Sequence, residues 1–217
     1  MIEATYITHC GTDLSVVNAA RVSFGKTSKL ICTDLIQGRY DMSPRDKKLI
    51  RYLAEHKHIS PFGHAFASFH VKAPVFVARQ LVKHKFLRWN EISRRYVDEE
   101  PELYTPEVWR GKSADKKQGS EGVRQPPLHL GPLMNQVLDL YDQMIHDGVA
   151  PEQARMILPQ SMMTEWYWSG SLDAFSDMAK LRCASDTQYE SRLVARQISD
   201  KMAKLFPVAW EALVADG

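Results

Sequence analysis

Between Lys83 and Tyr96 the chain packs Lys83, Lys85, Arg88, Arg94 and Arg95 beside His84, Asn90, Glu91 and Ser93. Cations held this close repel one another unless an anion or several carboxylates compensate them. Only Glu91 does so inside the segment, with Asp98, Glu99 and Glu100 just after it. One chemistry for such a stretch is a solvated basic loop answered by that acidic run. The sharper one is a phosphate site, because guanidinium and hydroxyl donors are the groups that hold a nucleotide phosphate.

The elements needed to position these groups can be read on either side. Ser43-Pro44-Arg45-Asp46 signals a helix start: a capping hydroxyl, a proline suited to the first helical position and a carboxylate at the positive helix end. Leu49, Ile50 and Leu53 give that helix its apolar face, before a turn at Ser60-Pro61-Phe62-Gly63. Residues 65–73 alternate with a period of two, Ala65, Ala67, Phe69, Val71 and Ala73 against Phe66, Ser68, His70 and Lys72, which predicts a strand. Pro74 ends it and starts a helix whose apolar stripe is Val77, Ala78, Leu81 and Val82. The basic segment begins on the polar face of this helix and runs into a loop, the kind of place where binding residues gather.

Further on, residues 111–127 have the composition of an exposed, mobile loop. Leu133, Val137, Leu140, Tyr141 and Met144 recur at helical spacing, with Gly148 as a stop, and a short helix runs from Pro151 to Leu158. Residues 162–168 predict a second strand with Trp166, Tyr167 and Trp168 in its core. Ser171 caps a helix to about Arg182, and Ser185 or Asp186 caps the last long one, to about Leu205. Helices dominate and no repeated strand–helix alternation occurs, so the fold class is α+β in a single domain spanning 1–217.

Composition limits the function classes. A 44% hydrophobic and 25% charged chain of 217 residues is globular and long enough for a continuous core. A net charge of +2 gives no bulk attraction to nucleic acid, while a local cation cluster still suits a small anion. Cys10, Cys32 and Cys183 are scattered, form no C-x-x-C pair, imply neither metal nor disulfide framework, and read as inert buried thiols in a reducing cytoplasm. No apolar run reaches the ~20 residues of a membrane span, and Met1–Cys10 lacks a signal pattern.

The basic segment resembles the signature of the flavin-dependent thymidylate synthases, R-H-R-x-x-S-x-N-E-x-S-x-R-Y. His84, Asn90, Glu91, Ser93, Arg95 and Tyr96 fill six of its nine defined positions; Lys83 and Lys85 stand for the flanking arginines and Arg88 for a serine. Other blocks are similar in the same order: Leu14-Ser15 with Ala19 to Phe24, His58 with Ser60-Pro61-Phe62, Phe69 to Gln80, Ala154-Arg155 with Leu158-Pro159, and Leu181-Arg182 with Ser185 and Gln188. The resemblance implies a helix-rich domain with a small, mostly antiparallel sheet. It implies methylation of dUMP to dTMP, with methylene-tetrahydrofolate as carbon donor and NADPH-reduced FAD as hydride carrier, in a homotetramer whose active sites are shared between subunits.

The same resemblance assigns roles. Ser93 and Arg95 would bind the dUMP phosphate, with Gln80, Glu91, Arg94 and Arg155 completing the nucleotide site, Arg155 from a neighbouring subunit. Arg182 would sit against the uracil carbonyl as the catalytic cation. Ser23, His58, Ser60, Lys83, His84, Lys85, Arg88, Glu91 and Asp177 would line the FAD. Departures gather on the flavin side: Gly63 where the family commonly has glutamate, Ser171, Asp173 and Asp177 where it supplies asparagine and arginine, and Asp186 where histidine often stands. Two rival readings stay open, a flavin-dependent enzyme of altered outcome such as a pyrimidine nucleotide hydroxymethylase, and a non-enzymatic nucleic-acid-binding protein.

Overall fold

The computed structural model describes residues 1–97, 99–114, 119–126 and 130–215. Its elements, in chain order, are β1 (Glu3–Cys10), α1 (Asp13–Arg21), β2 (Ile31–Asp34), β3 (Arg39–Asp41), α2 (Pro44–Glu55), β4 (Phe66–Pro74), α3 (Val75–Leu81), β5 (Arg88–Glu91), β6 (Trp109–Lys112), β7 (Ser120–Arg124), α4 (Leu130–His146), α5 (Pro151–Ala154), β8 (Met163–Ser171), α6 (Leu172–Arg182), α7 (Tyr189–Leu205) and α8 (Pro207–Val214). The main sheet runs β1-β4-β8-β5 with antiparallel neighbours throughout, and β2-β3 and β6-β7 form separate hairpins. This is the expected α+β class.

The alternation in β4 does what a period of two requires: Ala67, Phe69, Val71 and Ala73 are buried. They meet Trp166 and Trp168 of β8 and, from the helical layer, Phe175 and Met178 of α6 with Val194 and Ile198 of α7. Tyr167, between the two tryptophans, is 52% exposed and not core, as alternation along β8 demands. Ser43 caps α2 as expected, its Oγ accepting from the Asp46 amide at 3.1 Å. A cap supplied from far along the chain closes the fold: buried Asp13 accepts from the Val208 and Ala209 amides, each at 2.9 Å, at the start of α8.

Several expectations change. The helix after Pro74 ends at Leu81, leaving Val82 exposed, and the basic segment continues through a turn into the edge strand β5 instead of staying a loop. In the stretch whose composition predicts a loop, Gly111-Lys112 and Ser120–Arg124 belong to the β6–β7 hairpin, whereas 115–118 and 127 lie outside the described residues, as does Asp98. The period of α4 is helical, yet Tyr141 is its one buried residue and Leu133 and Leu140 are exposed. The helix from Pro151 shortens to α5 and a 3-10 turn at Arg155–Ile157. Gln188, not Ser185 or Asp186, stands at the N-cap of α7, and its side chain makes no capping bond there. Cys10 and Cys32 are exposed; only Cys183 is partly buried, and burial pushes its thiol pKa up. Among the described residues no helix is long and apolar enough to cross a membrane.

Candidate active site

Three segments distant in sequence converge where α3, α6 and α7 meet. Gln80 lies in the last turn of α3, Arg182 ends α6, and Gln188 and Glu190 open α7. Arg182 donates from Nε to His84 Nε2 at 2.9 Å and from Nη2 to the Gln80 carbonyl at 3.3 Å. An imidazole accepting from a guanidinium must be neutral at that nitrogen. Burial, reinforced by the Arg182 charge, holds the His84 pKa down to about 4. Burial also lowers the pKa of Arg182. The Gln80 side chain donates to Gln188 Oε1 and accepts from Ser191 Oγ at 3.2 Å, which fixes its amide.

This corner opens on a cavity of about 610 Å³, whose lining includes Gln80, Arg182, Gln188, Tyr104, Trp109 and Arg110. Arginine carries five N–H donors, and two of Arg182's are committed inside the protein, leaving three for a ligand. Arg110 is ion-paired to Glu190, which is 3% exposed. Tyr104 donates to the same carboxylate at 3.5 Å, and burial first, then the Glu190 charge, pushes its phenol up to about 12. Tyr104, Trp109, Arg110 and Glu190 were not singled out from the sequence. Gln188 was, as part of a matching block, without a role.

The signature itself lies along the sheet edge. Glu91 of β5 accepts from Thr164 Oγ1 at 2.6 Å and from Trp89 Nε1 at 3.1 Å, and the Trp89 ring stacks on Trp166 at 4.2 Å. Beyond it, Ser93 Oγ accepts from the Arg95 amide at 3.4 Å, Arg94 donates to the Glu99 carbonyl, and the exposed Arg95 guanidinium lies over the Tyr96 ring at 5.1 Å. Ser93, Arg94 and Arg95 share no hydrogen bond with Arg182 and do not line its cavity. Arg155, exposed on its 3-10 turn, donates to the Glu152 carbonyl at 3.3 Å. Thus Gln80, His84 and Arg182 come together within one chain, while Arg95 and Arg155 are exposed and Ser93 and Arg94 half-buried outside that cavity.

Lys83, Lys85 and Arg88 are exposed and have no ion pair to a described carboxylate. Between them Phe86 is 82% exposed and sits at φ 64°, a left-handed conformation costly for an aromatic residue. Leu87 closes on β8 so tightly that a Cβ on Gly170 would lie 2.4 Å from Leu87 Cδ2. Exposed His58 has its ring near those of Tyr52 and His56, Ser60 begins the 3-10 turn leading to β4, Ser23 lies in the turn after α1, and Asp177 is on the outer face of α6. Asp173 Oδ1 is buried with no hydrogen-bond partner among the described residues, 4.0 Å from where a Gly63 Cβ would stand.

Likeness to known proteins, in fold and in sequence, sets the chain among methyl-transferring enzymes. The fold is similar to that of PolB, a UMP/dUMP methylase from Streptomyces cacaoi, in its 5-Br dUMP complex, with TM-score 0.81 at 28% identity over 99% of this chain and 95% of that one. For the 5-Br UMP complex the TM-score is 0.80 at 29% identity, covering 99% and 94%. Within that class the chain belongs to the flavin-dependent thymidylate synthase family. The Thy1 family model, thymidylate synthase complementing protein, matches residues 5–208. A flavin-dependent thymidylate synthase of Thermus thermophilus is 38% identical over 205 residues, covering 93% of this chain and 72% of that protein. That of Kosmotoga olearia is 37% identical over 210 residues, covering 94% and 86%.

Proposed function

We propose that the enzyme converts dUMP, methylene-tetrahydrofolate, NADPH and a proton into dTMP, tetrahydrofolate and NADP. The observation that carries this reading is the Arg182 guanidinium, oriented by neutral His84 and the Gln80 carbonyl on the wall of a cavity. Its remaining donors suit a pyrimidine carbonyl oxygen, where they stabilise negative charge that develops when the ring is attacked or reduced. Gln80, fixed by Gln188 and Ser191, offers an amide edge to the base, and Glu91 is held ready by Thr164 and Trp89 for a polar edge of the nucleotide.

Ser93, Arg94 and Arg95 take the phosphate, a dianion that favours guanidinium and hydroxyl donors. Because they lie outside the Arg182 cavity of their own chain, as does Arg155, they serve the site of a neighbouring copy. That separation supports sites shared between copies, and the family resemblance a homotetramer; scattered, unpaired cysteines suit a reducing cytoplasm.

Bound FAD supplies the hydride that the methyl group requires. The residues of this chain fit it: Lys83, Lys85 and Arg88, without described carboxylate partners, would hold the flavin diphosphate, and Ser23, His58, Ser60 and the signature's Glu91 would offer further polar groups. His84 stays neutral and passes its support to Arg182. Asp177, outward on α6, adds a polar group at the rim.

Likeness to PolB, a UMP/dUMP methylase, favours a second substrate, UMP, at the same cavity. Purified protein with FAD, NADPH and methylene-tetrahydrofolate is given dUMP or UMP, and the product is weighed by mass spectrometry. A methyl gain on dUMP is expected. A hydroxymethyl gain would establish the altered-outcome enzyme instead, and a colourless protein that takes no FAD but binds long DNA in a steeply salt-dependent way would establish the nucleic-acid-binding alternative.

A further inference from the structure

We infer that the β6–β7 hairpin is a fastened wall of the nucleotide cavity and that Arg110 is its fastener, a positioning residue for the substrate. This rests on the reading of that cavity as the dUMP site. The hairpin contributes Trp109, Arg110, Gly119 and Ser120 to the same lining as Gln80 and Arg182. If it moves, the cavity changes shape.

Two unrelated contacts hold it, one on each strand side. On the β6 side every part of the Arg110 guanidinium is engaged by protein. Nη2 is ion-paired to Glu190, Nε donates to Ser120 Oγ at 3.0 Å, Nη1 donates to the Val108 carbonyl at 3.5 Å, and the group lies 4.5 Å from the centre of the Tyr189 ring. With three of its five donors committed, its charge paired and its face over Tyr189, the side chain acts through what it ties down. On the β7 side Gly119, at φ +87°, packs so close that a Cβ would lie 2.9 Å from the Asp186 carbonyl oxygen. Both contacts land between Asp186 and Glu190, the stretch that also carries Gln188 and thereby fixes Gln80.

Charge adds a second reason for Arg110. Glu190 lines the cavity that Arg182 lines, and an uncompensated buried carboxylate there would oppose an anionic ligand. Arg110 cancels that charge in place, and Tyr104 assists with its hydroxyl. The hairpin wall therefore closes the cavity without making it anionic.

The test uses FAD-loaded holoenzyme of the parent, Arg110→Met and Gly119→Ala. In both variants the dUMP Kd measured by calorimetry and the KM should rise about tenfold or more, since one loses a buried charge partner and the other displaces backbone. Flavin content and kcat at saturating dUMP should stay at the parent level, a split that a general folding defect does not produce. Without nucleotide, amides of Trp109–Lys112 and Ser120–Arg124 should exchange hydrogen faster in both variants than in the parent. A folded variant whose dUMP affinity stays within about twofold of the parent, or hairpin amides whose exchange is unchanged, would overturn the inference. A parent that binds no dUMP would instead remove the nucleotide reading, and the exchange comparison would still decide whether Arg110 and Gly119 fasten the hairpin.

Discussion

Protonating His84 would set an imidazolium against the Arg182 guanidinium across the 2.9 Å that now separates acceptor from donor. The hydrogen bond would be lost and two cations would face each other in a partly buried corner. The unfolded chain takes up this proton below its ordinary value of 6.5, the folded chain only near 4. Between those values the unfolded state binds more protons, so stability falls as pH drops from 6.5 towards 4 and is unaffected by this group above that window. Integrating from pH 7 to pH 5 gives an upper limit of about 1.8 kcal/mol, and solvent screening of a half-buried ring reduces it to about 1 kcal/mol. Urea unfolding at pH 7 and pH 5, at fixed protein concentration, measures the loss in the parent and in His84→Gln, whose amide oxygen still accepts from Arg182. The parent should lose about 1 kcal/mol more than the variant between the two pH values. Equal losses would refute the reasoning, because the proton linkage would then not run through His84.

Arg182→Ala should lower kcat about 100-fold or more, as expected for loss of a donor at developing negative charge; an unchanged kcat in initial-rate assays would remove it from catalysis. Arg95→Ala should weaken dUMP binding by about 1.5–3 kcal/mol, measured by calorimetry, with equal affinity ruling out a phosphate contact. Asp13→Ala strips two backbone N–H groups at the start of α8 of their acceptor and should cost about 1–2 kcal/mol in chemical unfolding. Gly170→Ala drives a methyl against Leu87 and, at 3.2 Å, the Phe86 carbonyl; it should cost about 1–3 kcal/mol and reduce flavin retention, read from the melting temperature and from absorbance.

What could be read in advance was local. The cap at Ser43, the alternation along β4 and the Val77, Ala78 and Leu81 stripe of α3 depend on neighbours a few positions away, so a linear chain already contains them. The signature motif likewise marked the cationic stretch, and the separate blocks that end at Gln80 and carry Arg182 and Gln188 marked one corner of the cavity. The short strand β5 escaped because it is a strand only by pairing with β8, from Arg88↔Ser169 to Glu91↔Trp166. The exposed stripe of α4 escaped for a related reason: helical spacing shows which residues share a face, never whether anything covers it.

Sequence by itself determined the fold class, the family and the residue types available for chemistry. Only the tertiary structure decided that His84 is neutral, that Arg182 is aimed by it from 98 positions away, and that Arg110 neutralises Glu190 across 80 positions. Hydrogen-bond direction, desolvation and ion pairing are properties of surroundings, and surroundings exist once distant segments have packed.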